Sequence, residues 1–136
     1  MFSTILVPVD IDHKDWATNA LKHVDGVNDD NIRIVVLYVA HELPGYVTSG
    51  LPADLLKETR KRLQAELDEF ARKAGKNVVA EIREGRPATT ILHEAERLGA
   101  DLIVIGSHEP GLSEYFMGTT ASRVVRHAKC SVLVAR

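Results

Sequence analysis

Cysteine is almost missing from this chain: Cys130 stands alone, so no intramolecular disulfide and no thiolate zinc cluster can form. No apolar run exceeds strand length, so no membrane span is expected, and Met1 leads into Ile5-Leu6-Val7 without a secretory leader. Neither sign of charge dominates, with 17 Lys and Arg against 19 Asp and Glu, a formal net charge of −2 and a pI near 6.3. A phosphate-tracking surface is usually basic, so nucleic acid is not expected as the main partner. The histidines, His13, His23, His41, His93, His108 and His127, form no HxH or HExxH pattern, and no structural metal site is expected. The two common phosphate-cradle signatures, GxxxxGK[ST] and GxGxxG, are both absent. There is no repeat, low-complexity run or linker. A single cytoplasmic domain over residues 1–136, with 45% hydrophobic residues to build a core, is the expectation.

What is present is alternation. Phe2 to Val9 reads as a short strand, and Trp16, Ala17, Ala20, Leu21 and Val24 have helical spacing. Ile32 to Ala40 predicts a second, buried strand. Asp54 to Lys73 sets Leu55, Leu56, Leu63, Leu67 and Phe70 among charges, which predicts a long amphipathic helix stopped by Gly75. In it, Lys57 to Arg62 reads as the wet face. Asn77 to Arg83 predicts a third strand. Pro87 suits the first turn of a helix that runs to Leu98 and stops at Gly99. Asp101 to Ile105 and Cys130 to Ala135 predict strands four and five, with a helix over Ala121 to His127 between them. Such alternation predicts an α/β fold: an open, doubly wound, mainly parallel five-stranded sheet with helices on both faces. Strands so evenly apolar should be buried on both sides. Glu42 to Pro52, with Pro44, Gly45, Gly50 and Pro52, is long enough to act as a flap.

Chemistry concentrates in the last third. The fourth strand runs out at Gly106, and Gly118-Thr119-Thr120 opens the last helix. Glycine and hydroxyls at a helix start, with backbone N–H groups pointing outward, make an anion site. The plainer account is that Gly118 allows a tight turn and Thr119 is the N-cap; the two are compatible. Ser107 and His108 follow Gly106, but no carboxylate or nucleophile has clear spacing to the histidine, so a loop contact is expected rather than catalysis. Arg123 and Arg126 lie one turn apart and read as a solvated face. Cys130 reads as a small hydrophobe at the opening of a strand.

Several segments together resemble the universal stress proteins: Ile5-Leu6-Val7-Pro8-Val9-Asp10, Val36-Leu37-Tyr38-Val39, Gly85-Arg86-Pro87-Ala88, Gly106-Ser107-His108, Tyr115-Phe116-Met117-Gly118-Thr119, and Arg123 to Val134. The resemblance covers nearly the whole chain. It implies strand order 3-2-1-4-5, which reverses between strands one and four, so that Asp10 and Gly106 end at one crevice. It implies ATP as ligand, with Asp10 on the adenosine, backbone at Val39 reading the adenine edge, and Gly106, Gly118, Thr119 and Thr120 on sugar and phosphates. Pro8, Val9, Ile105, His108 and Gly111 complete the implied site. Asp10 has a second reading as the cap of a helix beginning near Asp12 or Lys14. Nucleotide-binding members carry Gly-x2-Gly-x9-Gly-Ser/Thr. Here Glu109 stands three residues after Gly106, the next glycine is Gly111, and Gly118 comes one residue early. Ser107-His108-Glu109-Pro110 resembles a short-loop branch still associated with ATP. With Glu109 present and no lysine on the loop, Mg²⁺ or Mn²⁺ is expected with the nucleotide. The resemblance also implies a homodimer through the last strand.

Four functions compete: a nucleotide-bound stress-response regulator, a slow ATPase or autophosphorylating enzyme, a phospho-receiver, and a dimeric scaffold with a vestigial pocket. Fast turnover lacks a phosphate-loop lysine and a base for water. A receiver would need an aspartate ending strand three and a lysine ending strand five, where Ile82-Arg83-Glu84 and Val134-Ala135-Arg136 stand. A regulator binding adenine nucleotide is the reading favoured.

Overall fold

A computed structural model describes residues 2–9, 18, 20–24, 26–40, 49–106 and 118–135. Its elements are β1 (Thr4–Val9), β2 (Arg33–Ala40), α1 (Ala53–Ala74), β3 (Val78–Glu84), α2 (Pro87–Leu98), β4 (Leu102–Gly106), α3 (Thr119–His127) and β5 (Ser131–Ala135). Residues 20–22 are helical ahead of β2. Trp16, Ala17 and residues 42–48 of the expected flap lie outside the described residues, and residues 49–52 are exposed.

The strands form one parallel sheet in the order β3-β2-β1-β4-β5, as expected. Side chains alternate across it. Ile5, Val7, Ile34, Val36, Val78, Ile82 and Val104 point to one face, where Leu67 and Ala71 of α1 cover them. Leu6, Val35, Leu37, Ile103 and Ile105 point to the other, beneath Ile91 and Ala95 of α2 and Ala121 and Val124 of α3. This two-sided cover is why β1, β2 and β4 read as unbroken apolar runs. The outer strands depart from the expectation: Val79 is 46% exposed and Leu133 38%, because the sheet edges reach past their covering helices.

Two helix stops that look alike in sequence differ in kind. Gly99 takes the left-handed conformation, φ 67°, and its N–H returns to the carbonyls of Ala95 and Glu96. Gly75 is extended, φ 172°, and is glycine for another reason: a Cβ there would stand 2.7 Å from Val27 Cγ1. The expected apolar stripe of α1 also holds for only part of its length. Leu67 and Ala71 are buried and Leu63 and Phe70 packed, but Leu55 is 48% and Leu56 36% exposed. A helix of 22 residues is about 33 Å long, whereas a strand of 7 is about 23 Å. The excess lies at the start of α1: the Arg60–Glu84 ion pair, 2.8 Å, brings Arg60 level with the last residue of β3, so earlier turns stand beyond the sheet.

Candidate functional site

The chain leaves β1 towards β2 and returns on the opposite side as β4, so the strand order reverses between these two neighbours. Side chains and backbone at their carboxyl ends border the crevice that such a reversal creates. β1 and β4 pair at Ile5↔Leu102 and Leu6↔Ile103; carried on by the same offset, Val9 comes level with Gly106. β2 ends alongside, with Val9 opposite Tyr38, and Val39 opposite Arg83 of β3. Gly106 is held on its far side by Ala135 of β5.

The start of α3 comes to this same end of the sheet. Ala121 and Val124 are buried against Ile103 and Ile105, which fixes the helix on β4 and with it the position of its first turn. Gly118 is the N-cap, and its carbonyl accepts the first helical bond, from the Ser122 N–H. The first turn carries no acidic residue. A glycine cap brings no side chain of its own to the first-turn amides, and the positive end of a helix favours an anion.

Of the residues expected at the site, Pro8, Val9, Val39, Gly106 and Thr120 are half-buried, Ile105 and Gly118 buried, and Thr119 exposed. Asp10, His108 and Gly111, and with them Ser107 and Glu109, lie outside the described residues. Two expectations need correction. Thr119 is not the N-cap but the first helical residue, and Gly118 caps in its place. Nor does Gly118 use glycine's freedom of turn: φ −59° and ψ 156° are open to any residue. Arg123 and Arg126 are exposed, as expected. Cys130 is half-buried just ahead of β5, and burial pushes its thiol above the ordinary range, which favours the thiol over the thiolate. Among the described residues no group of His, Cys, Asp or Glu is placed to hold a metal, and no helix is long and apolar enough to cross a membrane.

Three polar residues that sequence reasoning missed brace the frame. Asp101 accepts the N–H groups of Ser3 (2.8 Å) and Thr4 (2.9 Å) and the Ser3 hydroxyl, locking the amino ends of β1 and β4 together. Burial pushes the Asp101 carboxyl up, but these donors outweigh it and hold it below its ordinary value. Asn77 Nδ2 donates among the carbonyls of Gly26, Asp29 and Ile32, and its Oδ1 accepts the Asn28 N–H. Glu94 is 3% exposed and sits between Arg83 and Arg97. The available signal was an acidic or amide residue beside an apolar run; apart from Arg97, one turn from Glu94, the partners come from other elements.

The profile of the universal stress protein family matches residues 1–136. Universal stress protein G of Escherichia coli O157:H7 is 32% identical over 146 aligned positions, with 100% of each chain covered. Among solved structures, the universal stress protein UspA from Lactobacillus plantarum superposes with a TM-score of 0.73 at 28% identity, covering 98% of this chain and 97% of that one. A universal stress protein from Archaeoglobus fulgidus in complex with dAMP has the same fold, with a TM-score of 0.66 at 20% identity and 98% of each chain covered. By its sequence over its full length and by its sheet order, this chain belongs to the universal stress protein family.

Proposed function

We propose that the crevice between the ends of β1 and β4 binds an adenine nucleotide, ATP with Mg²⁺ or Mn²⁺, and that the chain is a stress-response regulator acting as a nucleotide-bound dimer. The observation that carries this reading is the first turn of α3, capped by Gly118 and free of acidic residues, at the point where the sheet reverses. The family relative from Archaeoglobus fulgidus was solved with dAMP, so in that protein the fold takes an adenine nucleotide.

In this reading Asp10 accepts from the nucleoside and backbone at Val39 meets the adenine edge. Gly106 lets the backbone approach the sugar. Gly118, Thr119 and Thr120 donate to phosphate oxygens, and Pro8, Val9, Ile105, His108 and Gly111 line the remainder. Glu109 adds negative charge near the phosphates, which makes a divalent cation necessary. Without a positioned base, hydrolysis stays far below the ~1–10³ s⁻¹ of ordinary enzymes.

Calorimetric titration tests the site. Gly118→Val is expected to abolish ATP binding and spare adenosine, because a side chain there fills the room a phosphate needs; circular dichroism checks that the fold survives. Asp10→Ala is expected to weaken both ligands, and EDTA to weaken ATP alone. Normal ATP binding by Gly118→Val would reduce the first turn of α3 to a plain helix start and favour the scaffold reading.

A further inference from the structure

We infer that Arg83 seals the outer edge of β3, its guanidinium standing on a carbonyl that a second copy of the chain would have to pair with, so that strand-to-strand assembly is left to β5. β3 ends the sheet on one side, beside β2, and an edge strand offers its unpaired N–H and C=O groups to any strand that comes alongside. Which groups are unpaired follows from the ladder. The Asn77 carbonyl accepts from Ile34 and the Gly85 N–H donates to Ala40, both in β2. Successive residues of a strand turn their groups to opposite sides. Val79, Glu81 and Arg83 therefore serve β2, and Ala80, Ile82 and Glu84 turn theirs to the open edge.

Arg83 reaches around that edge. Its Nη1 donates to the Ile82 carbonyl at 2.9 Å. A surface arginine is ordinarily free to swing away, but this one is gripped at its other nitrogens. Nε donates to Oε1 of Glu94 at 3.1 Å, and Nη2 stands 3.8 Å from Glu81. Glu94 is a firm anchor, because it is buried on α2 and itself held by Arg97 at 2.6 Å. The guanidinium fork is planar and rigid, so with Nε fixed on a buried carboxylate Nη1 has little freedom left. Next along the edge, Glu84 is tied to Arg60 of α1 at 2.8 Å. Ala80 keeps an outward N–H and C=O, but a strand adds through consecutive outward pairs, and the pair that follows is the capped one at Ile82. β5, the opposite edge, carries no charged side chain at all.

The seal is a matter of hydrogen-bond geometry beyond charge, and it is independent of the nucleotide reading. Lysine would keep the charge, but an ammonium on a flexible stem does not hold Glu94 and the Ile82 carbonyl together as the fork does. Two copies meeting at β3 about a two-fold axis would each use the freed Ile82 carbonyl. One net backbone bond gained in each copy corresponds to an association about ten- to a hundredfold tighter.

The test compares the unmutated chain with Arg83→Lys, Arg83→Gln, and Arg83→Gln combined with Glu94→Gln, a pair that leaves no buried carboxylate short of a partner. Sedimentation over a range of concentrations and amide hydrogen exchange are the readouts, with circular dichroism to check the fold. In the unmutated chain, exchange at the Ala80 and Ile82 amides is expected not to depend on concentration. Each variant is expected to assemble beyond the size of the unmutated chain, at concentrations about ten- to a hundredfold below any at which the unmutated chain does so, and to slow exchange at those two amides as it assembles. No further assembly in the folded glutamine variants, assembly that leaves the two amides unprotected, or protection that rises with concentration in the unmutated chain would overturn the inference. Assembly of the glutamine variants without Arg83→Lys would overturn it too, because charge rather than the hydrogen bond would then guard the edge. If Arg83→Gln does not fold, the double variant decides. Failure of Arg83→Lys or of the double variant to fold would show that the fork holds the fold itself rather than its edge, and the seal would fall.

Discussion

Glu94 is a carboxylate taken almost wholly out of water and paired there. Its side chain is 4% exposed, and its oxygens accept from Arg97 Nη2 at 2.6 Å and Arg83 Nε at 3.1 Å. The Arg97 hydrogen bond holds the carboxyl below its ordinary range; burial pushes back, and Arg83 adds to the lowering. A group whose folded pKa is depressed stabilises the protein above its unfolded pKa, about 4.3 for glutamate, and that share is lost as pH falls through the folded value. Both arginines are nearly half exposed, 42% and 44%, and keep Glu81 as a partner, so removing Glu94 strands them only in part. Glu94→Ala is therefore expected to cost about 2 kcal/mol at pH 7, below the full penalty for breaking a buried pair. Urea melts from pH 3 to 7 should also show a shallower acid limb, with Asp101, Glu69 and Glu96 still contributing to what remains. A variant as stable as the original at pH 7 would show that the pair only balances its own desolvation. The sequence around Glu94 offers Arg97 one helical turn on, but not the burial or the second arginine. Its partner Arg83 is 11 residues away on another element.

At the scale of elements, α1 divides into a half that holds the fold and a half that does not. Its apolar residues, Leu55, Leu56, Leu63, Leu67 and Phe70, fall on one helical face even though none stands between residues 57 and 62, so periodicity alone made it one amphipathic helix. Length decides otherwise, because only the turns level with the sheet have something to pack on. Leu67→Ala is expected to cost about 2–4 kcal/mol, the range for emptying a core leucine site. Leu55→Lys should stay within about 0.5 kcal/mol, as for an ordinary surface change. Chemical denaturation of the two variants side by side checks this, and a large loss for Leu55→Lys would mean that the first turns of α1 are covered in solution. The two glycine stops carry the same lesson. Gly99 was legible because a left-handed cap is a local device, whereas the contact that demands glycine at residue 75 comes from Val27.

For the molecule as a whole, the two sheet edges are not equivalent. β3 carries Glu81, Arg83 and Glu84, charges that discourage pairing with another chain; β5, Ser131 to Ala135, carries none and leaves Leu133 38% exposed. Pairing of β5 with its own copy about a two-fold axis would close the open edge. Sedimentation is expected to find a dimer, and Leu133→Lys, whose side chain lies outside both cores, to shift it towards monomer without lowering the melting temperature. A monomer at high micromolar concentration for the unmutated chain would remove this assembly.

The sequence by itself determined the order of strands and helices, the two-sided burial of β1, β2 and β4, and the Pro87 and Gly99 ends of α2. Each of these is written in periodicity or in residues within one turn of one another. The strand order came from likeness to a family, and the matching sheet bears it out. The tertiary structure alone decided which half of α1 is buried, why residue 75 is glycine, and which carbonyls the Asn77 amide gathers. Periodicity tells a residue's face within its own element. How far that element reaches past its neighbour, and which distant atoms meet there, depends on the register between segments far apart in the chain, and that register exists only once the sheet has formed.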